Sequence, residues 1–205
     1  MENEPKSDSR RTILLAAQFE FAAHGLSGAR VDSIAERAGL NKRLIYYYFK
    51  SKDQLFLEVL EHAYSEIRAA EQALNLDQID PIQAVRQLIT FTWDYYLEHP
   101  EFISLLNSEN QAEAVHLKKS KNIQELTSPL VRMLDLVLRK GQEKGLFRSG
   151  IDPIQLYISI ASICYFYLSN SHTLSTIFGK NLLHPKAKVQ RLSHMIDLIL
   201  GYLVL

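Results

Sequence analysis

Lys42, Arg43, Tyr46 and Tyr47 carry the contact chemistry that stands out in this 205-residue chain. Their i, i+4 spacing stacks Lys42 on Tyr46 and Arg43 on Tyr47 along one side of a helix. Two cations and two long phenols on one exposed face suit contact with phosphates and base edges. Leu40, Leu44, Ile45, Tyr48 and Phe49 share the opposite arc and would seat that helix on a core. A merely solvated helix face could carry the same four residues, so the neighbouring elements have to decide between the two readings.

Those neighbours favour a reader. Gly39 stands where a helix ending at Ala38 needs a left-handed residue, which glycine supplies without a Cβ penalty. Asn41 is a good N-cap for the helix that follows. The preceding helix spans roughly Val31 to Ala38, with Ile34 and Ala35 inward and Ala35 small enough for close packing. A first helix is expected from after Ser9 to His24, stopped by Gly25, with Ile13, Leu14, Ala17, Phe19 and Phe21 as core candidates. After the reader, Ser51-Lys52-Asp53-Gln54 reads as a capping box opening a long helix to about Leu74. Helix, glycine turn, helix is the helix-turn-helix pattern, whose second helix enters the major groove.

The stretch GLNKRLIYYYFKSKDQLFLEVL resembles the signature of TetR-family transcriptional regulators, roughly G-V-S-K-G-T-L-Y-Y-H-F-x-S-K-E-x-L. The resemblance covers about Ser9 to Glu61; beyond that it rests on a matching helical layout. Carried over residue by residue, it places Lys42, Arg43, Leu44, Tyr46, Tyr47 and Tyr48 at positions that approach bases or phosphates. It places Lys52 on a phosphate contact at a helix N-terminus, an end that favours anions in any case. Two departures matter. Arg43-Leu44 stand where the family often has Gly-Thr, so base preference does not carry over. The usual threonine cap is replaced near Ala29-Arg30, which leaves Arg30 as a candidate phosphate or minor-groove contact.

Composition fits this reading. The chain is 47% hydrophobic and 22% charged, with zero net charge, so no global field points to nucleic acid. The distribution is informative: residues 1–52 hold nine Lys/Arg against six Asp/Glu, while residues 53–205 hold fourteen against seventeen. The basic bias therefore lies with the reader. The single cysteine, Cys164, excludes an intrachain disulfide framework. MENEPKSDSRR lacks the apolar core of a signal peptide. Pro153 to Gly179 holds no formally charged residue. Ten Ser, Thr, Asn, Gln and His residues interrupt that run, too many for a lipid-facing span, so no membrane partner and a cytoplasmic location are expected.

The rest of the chain reads as helices. Asp80-Pro81 caps and opens one that ends at His99-Pro100 and is apolar over most of its circumference. Others are expected over about Glu101 to Asn110, Ile123 to Lys144, Pro153 to Phe178 as one piece, and Lys186 to Leu205. The last shows Val189, Leu192, Ile196, Ile199, Leu200 and Leu203 on one stripe. No strand pattern or hairpin dipeptide occurs, so the fold class is all-α: a three-helix helix-turn-helix domain over 1–52, a bridging helix over about 52–74, and a helical effector-binding and dimerisation domain over 53–205.

Phe91, Trp93, Tyr95, Tyr96, Phe102, Tyr165, Phe166, Tyr167 and His172, with Ser104, Asn107 and Asn170, form a second constellation. Most of these residues pack a core. Yet so many phenols and amides need polar partners, and a ligand cavity supplies them. With the resemblance, Trp93, Tyr96, Phe102, Leu106, Asn107, Tyr165 and His172 are candidate lining for an effector pocket. The seven histidines show no i, i+4 pairing and no cysteine partner, so no metal site and no cofactor are expected. No phosphate loop, nucleophile elbow or paired-carboxylate motif is present, so no catalytic residue is assigned. The apolar faces of the last two long helices imply a homodimer.

Together these features imply a sequence-specific DNA-binding regulator of a palindromic operator. By family habit it is a repressor that a small-molecule effector releases by shifting the bridging helix. An activator or an effector-promoted DNA binder of the same family is the alternative. A helical enzyme would need a convergent acid/base or metal group, and an adaptor would use the same helices without DNA.

Overall fold

The computed structural model describes residues 4–205, with side chains described from residue 8. Ten α-helices occur among them: α1 (Glu4–Gly28), α2 (Val31–Ala38), α3 (Lys42–Phe49), α4 (Lys52–Ala73), α5 (Pro81–Glu98), α6 (Pro100–Gln111), α7 (Ile123–Glu143), α8 (Pro153–Ser169), α9 (Ser171–Phe178) and α10 (Pro185–Leu203). Among the described residues the only β pairing is an isolated bridge between Phe147 and Val204. The fold is all-α, as its patterning implies.

The chain divides into two compact units, one running to Glu66 and including Pro100–Ile123, the other comprising Ile67–His99 and Gln124–Leu205. By compactness the first unit is thus larger than residues 1–52. It takes in the first part of α4 and all of α6, because α6 packs on α1.

In the first unit Ile13, Ala17, Phe21, Ile34, Ile45, Phe49 and Phe56 are fully or almost fully buried. Phe21 and Phe56 meet edge to face at 5.0 Å, an arrangement worth about 1 kcal/mol beyond the area buried. The helix α1 begins earlier than after Ser9, at Glu4, with Pro5 in its first turn where a missing N–H costs nothing. Its expected stop is real: Gly25 has φ 63 and ψ 177, a kink inside the longer helical run. Phe19 is not core. It is 58% exposed and lies under the Arg37 guanidinium, 5.4 Å from its ring centre. Two residues from both Ala17 and Phe21, it sits on the outer face of α1, where cation–π contact replaces burial.

In the second unit α5 is central, packing against α8 and α10, with Ala84, Val85, Leu88, Ile89, Trp93 and Tyr96 buried. Each such large side chain contributes about 1.5–3 kcal/mol by leaving water. Asp80 starts α5, and Asp152 starts α8, by accepting N–H bonds from the residues two and three positions on. The charge-free run from Pro153 is two helices and not one. Asn170, at φ −109 and ψ 14, separates α8 from α9. Its amide donates to the Phe166 carbonyl at 3.0 Å, and Thr173 donates back to the Asn170 carbonyl at 3.0 Å. An asparagine side chain that bonds its own backbone is favoured at such a helix junction. On α10, Ile196, Ile199 and Leu203 are inward as expected, joined by Met195, whereas Val189, in the second turn, is 70% exposed.

Candidate DNA-reading face and ligand-binding core

The reading face is built by two local devices. At the end of α2, Gly39 adopts φ 65 and ψ 26, and the N–H groups of Gly39 and Leu40 close on the Glu36 and Ala35 carbonyls at 3.1 and 3.0 Å. This turns the chain sharply. Asn41 then caps α3, its side-chain oxygen accepting the Arg43 N–H at 2.8 Å. Ile45 and Phe49 are buried and hold α3 down, while Leu40, Leu44 and Tyr48 are half-buried at the rim. Lys42, Arg43, Tyr46 and Tyr47 are exposed together, Tyr47 by 68%. Tyr48 braces this face, its ring edge-on to Tyr47 at 5.1 Å and to Phe49 at 6.3 Å. The C-terminus of α3 closes at Lys50, which takes a positive φ of 61.

Lys42 also makes a contact that spacing alone does not reveal. Its ammonium lies 2.8 Å from Asp32 of α2, with both side chains open to solvent. The hydrogen bond between them holds the Lys42 pKa above its ordinary value and the Asp32 pKa below its own. The pair ties the reader helix to its support and places one anion on an otherwise cationic face.

Arg30 is the exposed N-cap residue of α2; its own N–H donates to Glu20 at 2.9 Å, and no side-chain cap satisfies the helix end. Lys52 is half-buried, with its ammonium donating to the Ala29 carbonyl at 2.9 Å, so it clasps the start of α4 to the α1–α2 turn. Only half of the expected capping box forms: Ser51 accepts the Gln54 N–H at 3.0 Å, but the Gln54 side chain turns to Glu58.

The residues expected to line a pocket fall in both compact units. Phe102, Leu106 and Asn107 belong to the first: Phe102 is buried with its ring 5.6 Å from Tyr64, and Leu106 and Asn107 are half-buried. Trp93, Tyr96, Tyr165 and His172 belong to the second. There Trp93 is 2% exposed and meets Tyr167 at 5.5 Å. Tyr167 donates to the Leu182 carbonyl at 2.9 Å and lies beneath the Arg191 guanidinium. Tyr165 is half-buried. His172 is exposed on α9, where it borders an open depression of about 640 Å³ with Ser175, Lys180 and Asn181.

Sequence patterning missed a buried polar cluster in the second unit. Arg68 and Glu71, on α4, are 4% and 0% exposed and form an ion pair through the Arg68 Nη1 and Glu71 Oε2. The Arg68 Nη2 donates to the Tyr157 hydroxyl of α8 at 2.7 Å, and the guanidinium lies 5.0 Å over the Tyr157 ring. Burial opposes the charge on Arg68, yet Tyr157 and Glu71 beside it outweigh burial and hold its pKa up. Burial raises the Glu71 pKa, against the pull of Arg68. Tyr96 is close enough to feel all three groups, and burial pushes its phenol well up. The nearby Cys164 thiol is pushed up to about 12, chiefly by burial. The only available signal was two opposite charges at i, i+3, which on most helices is a solvated pair.

Comparison with known proteins covers both parts of the chain. Residues 13–59 match the family described as bacterial regulatory proteins, tetR family, and residues 81–199 match the tetracyclin repressor-like C-terminal domain. The chain is 45% identical over 192 residues to the HTH-type transcriptional repressor NicS of Pseudomonas putida, covering 94% of this chain and 91% of that protein. It is 34% identical over 160 residues to an HTH-type transcriptional repressor of Streptomyces coelicolor, covering 77% of each. Among solved structures, a TetR family transcription regulator from Marinobacter aquaeolei superposes with a TM-score of 0.71 at 20% identity, covering 98% of both chains. The transcriptional regulator FadR from Bacillus subtilis, solved with stearoyl-CoA, gives 0.68 at 16% identity, covering 94% of this chain and 98% of that one.

Proposed function

The chain belongs to the TetR family of bacterial regulatory proteins, and from that premise we propose how this DNA-binding transcriptional regulator works. It is a repressor whose homodimer holds a palindromic operator until a small molecule releases it. The observation that carries this reading is the exposed set Lys42, Arg43, Tyr46 and Tyr47 on a short capped helix after a glycine turn. In this reading Arg43 reads base edges, Lys42, Tyr46 and Tyr47 contact phosphates and bases, and Leu44 and Tyr48 approach at the rim. Arg30 contacts phosphate from the N-terminus of α2. Lys52 adds positive potential from its clasped position. That both named repressors align over most of their length supports repression.

Dimerisation is supported by apolar residues facing solvent on the second unit. Ile154, Ile158 and Phe166 of α8 are about half exposed or more, as are Leu198 and Tyr202 of α10. Ile154, Ile158 and Phe166 recur at multiples of four, and Ser162 completes the row, small enough for close approach of a partner helix. A second copy would bury the same stripe on both chains.

The effector reading rests on the aromatic and polar residues Trp93, Tyr96 and Tyr165 of the second unit, with His172 as a further candidate. Binding shifts α4, which runs from the first unit into the second, and changes the separation of the two reader helices. No helix among the described residues is long and apolar enough to cross a membrane, and we place the regulator in the cytoplasm with its DNA. It acts without catalysis. The test is to titrate candidate inducers while recording Trp93 emission and the anisotropy of a bound operator duplex. Both signals should move with one midpoint. Loss of DNA with no response at Trp93 would overturn the placement of the effector beside it.

A further inference from the structure

The first unit contains a cavity that the DNA-reading face does not use. It measures about 300 Å³ and lies beside the Gly25 kink of α1, walled by Leu26 and Ser27, by Phe56 of α4, and by Ser108 and Gln111 of α6. All of these residues belong to the first unit. A cavity of about 150 Å³ holds benzene, so this one has room for a ring with a polar substituent. Phe56 and Leu26 give it an apolar side. Ser27, Ser108 and Gln111 give it two hydroxyls and an amide, and none of these side chains bonds to another described residue. Each such group can both donate and accept. No charged side chain lines the cavity among the described residues, so an ion entering it would shed water without meeting a counter-charge.

We propose that this cavity binds a small uncharged molecule, an apolar ring ending in an amide or hydroxyl, and that its occupant tightens operator binding. The link to DNA is short and runs through the backbone. Gly25 has φ 63 and ψ 177, a conformation essentially reserved for glycine, and its carbonyl accepts the Ala29 N–H at 3.1 Å. The Ala29 carbonyl in turn accepts the Lys52 ammonium at 2.9 Å, and the next residue is Arg30. The Ser108 hydroxyl lies directly against the kink, 3.7 Å from where a Cβ on Gly25 would stand. A molecule bonded to Ser27 on one side and to Ser108 and Gln111 on the other therefore fastens this turn to α6. Two candidate phosphate contacts are then ordered before DNA arrives, and their ordering no longer weakens association. The effect is opposite in sign to that of the inducer, and it rests on the reading of Arg30 and Lys52 as contributors to phosphate binding.

The test uses the full-length protein with benzamide, benzoate and benzylammonium, which share a ring and differ in charge. Amide NMR spectra should place benzamide by shifts at Gly25, Ser27 and Gln111, with millimolar affinity and no change in Trp93 emission. Benzoate and benzylammonium should bind at least about tenfold more weakly. Ser108→Leu fills the cavity and should abolish the shifts. Gln111→Ala, at an exposed position that leaves the fold alone, should weaken binding about threefold or more. Saturating benzamide should tighten operator binding about fivefold in the wild type and not at all in Ser108→Leu. Absent or scattered shifts, equal binding of the two ions, or shifts that survive both substitutions overturn the site. Shifts at the site with unchanged operator affinity overturn the link to DNA, when Arg30→Ala and Lys52→Ala do weaken operator binding. If neither does, the phosphate reading fails and takes the link with it.

Discussion

Asp32 gives the reading face its most informative perturbation. Lys42 is bonded to it at 2.8 Å in the free protein, so DNA phosphate must compete with a resident carboxylate. Both side chains are open to solvent, so neither change below should disturb folding. Each phosphate contact contributes about 0.9 to the slope of log K against log salt, so losing Lys42 from both subunits of a dimer should flatten it by about 1.8. Between about 50 and about 150 mM KCl that difference amounts to roughly sevenfold in affinity. Asp32→Asn should do the reverse at low salt, tightening binding to every sequence by removing two anions per dimer. The assay is anisotropy of a labelled duplex across that salt range for Lys42→Ala, Asp32→Asn and the double variant. A slope that Lys42→Ala leaves unchanged in the wild type but flattens in the Asp32→Asn background would show that Asp32 keeps Lys42 off the DNA. No change in either background would refute the placement of α3 against phosphate.

Three further expectations follow from single positions. Arg43→Ala should relax base preference at one position of each half-site by about tenfold or more, read by binding to operators substituted there, while leaving the salt slope less affected than Lys42→Ala does. At Gly141 an added Cβ would lie 2.0 Å from the buried Phe147 ring, so Gly141→Ala should destabilise the second unit by about 1–3 kcal/mol in urea unfolding followed at Trp93, and Phe147→Leu should restore part of the loss. The Cys164 thiol is fully buried and pushed up to about 12, so it should resist thiol reagents at neutral pH and react only once denaturant opens the fold; fast labelling of the native protein would contradict that burial.

The parts legible from sequence are those set by local chemistry. Gly39 and Asn41 specify a turn and a cap within four residues, and the structure has both. The Asp-Pro openings of α5 and α8 are legible for the same reason. What escaped depends on which helix lies alongside. Asp32 and Lys42 are ten positions apart and meet only because the turn folds α3 back on α2. Arg68 and Glu71 read as a surface pair until α8 brings Tyr157 over them. Phe19 counts as core by type, but Arg37 of α2 makes an outward position tolerable. Asn170 is by type one polar interruption among several, whereas in the structure its side-chain amide joins its own N–H on the Phe166 carbonyl at the junction of α8 and α9.

The central claim is that two copies of α3 read a two-fold operator. Selecting bound duplexes from a random pool with the full-length protein tests it most directly. The account predicts a single enriched motif made of two inverted half-sites, centred about 10 base pairs apart or a multiple of that, and lost together with the dimer when Ile158 and Leu198 are both changed to Glu. Enrichment of an asymmetric single site, or of the same palindrome by a monomeric Ile158→Glu, Leu198→Glu variant, would contradict it.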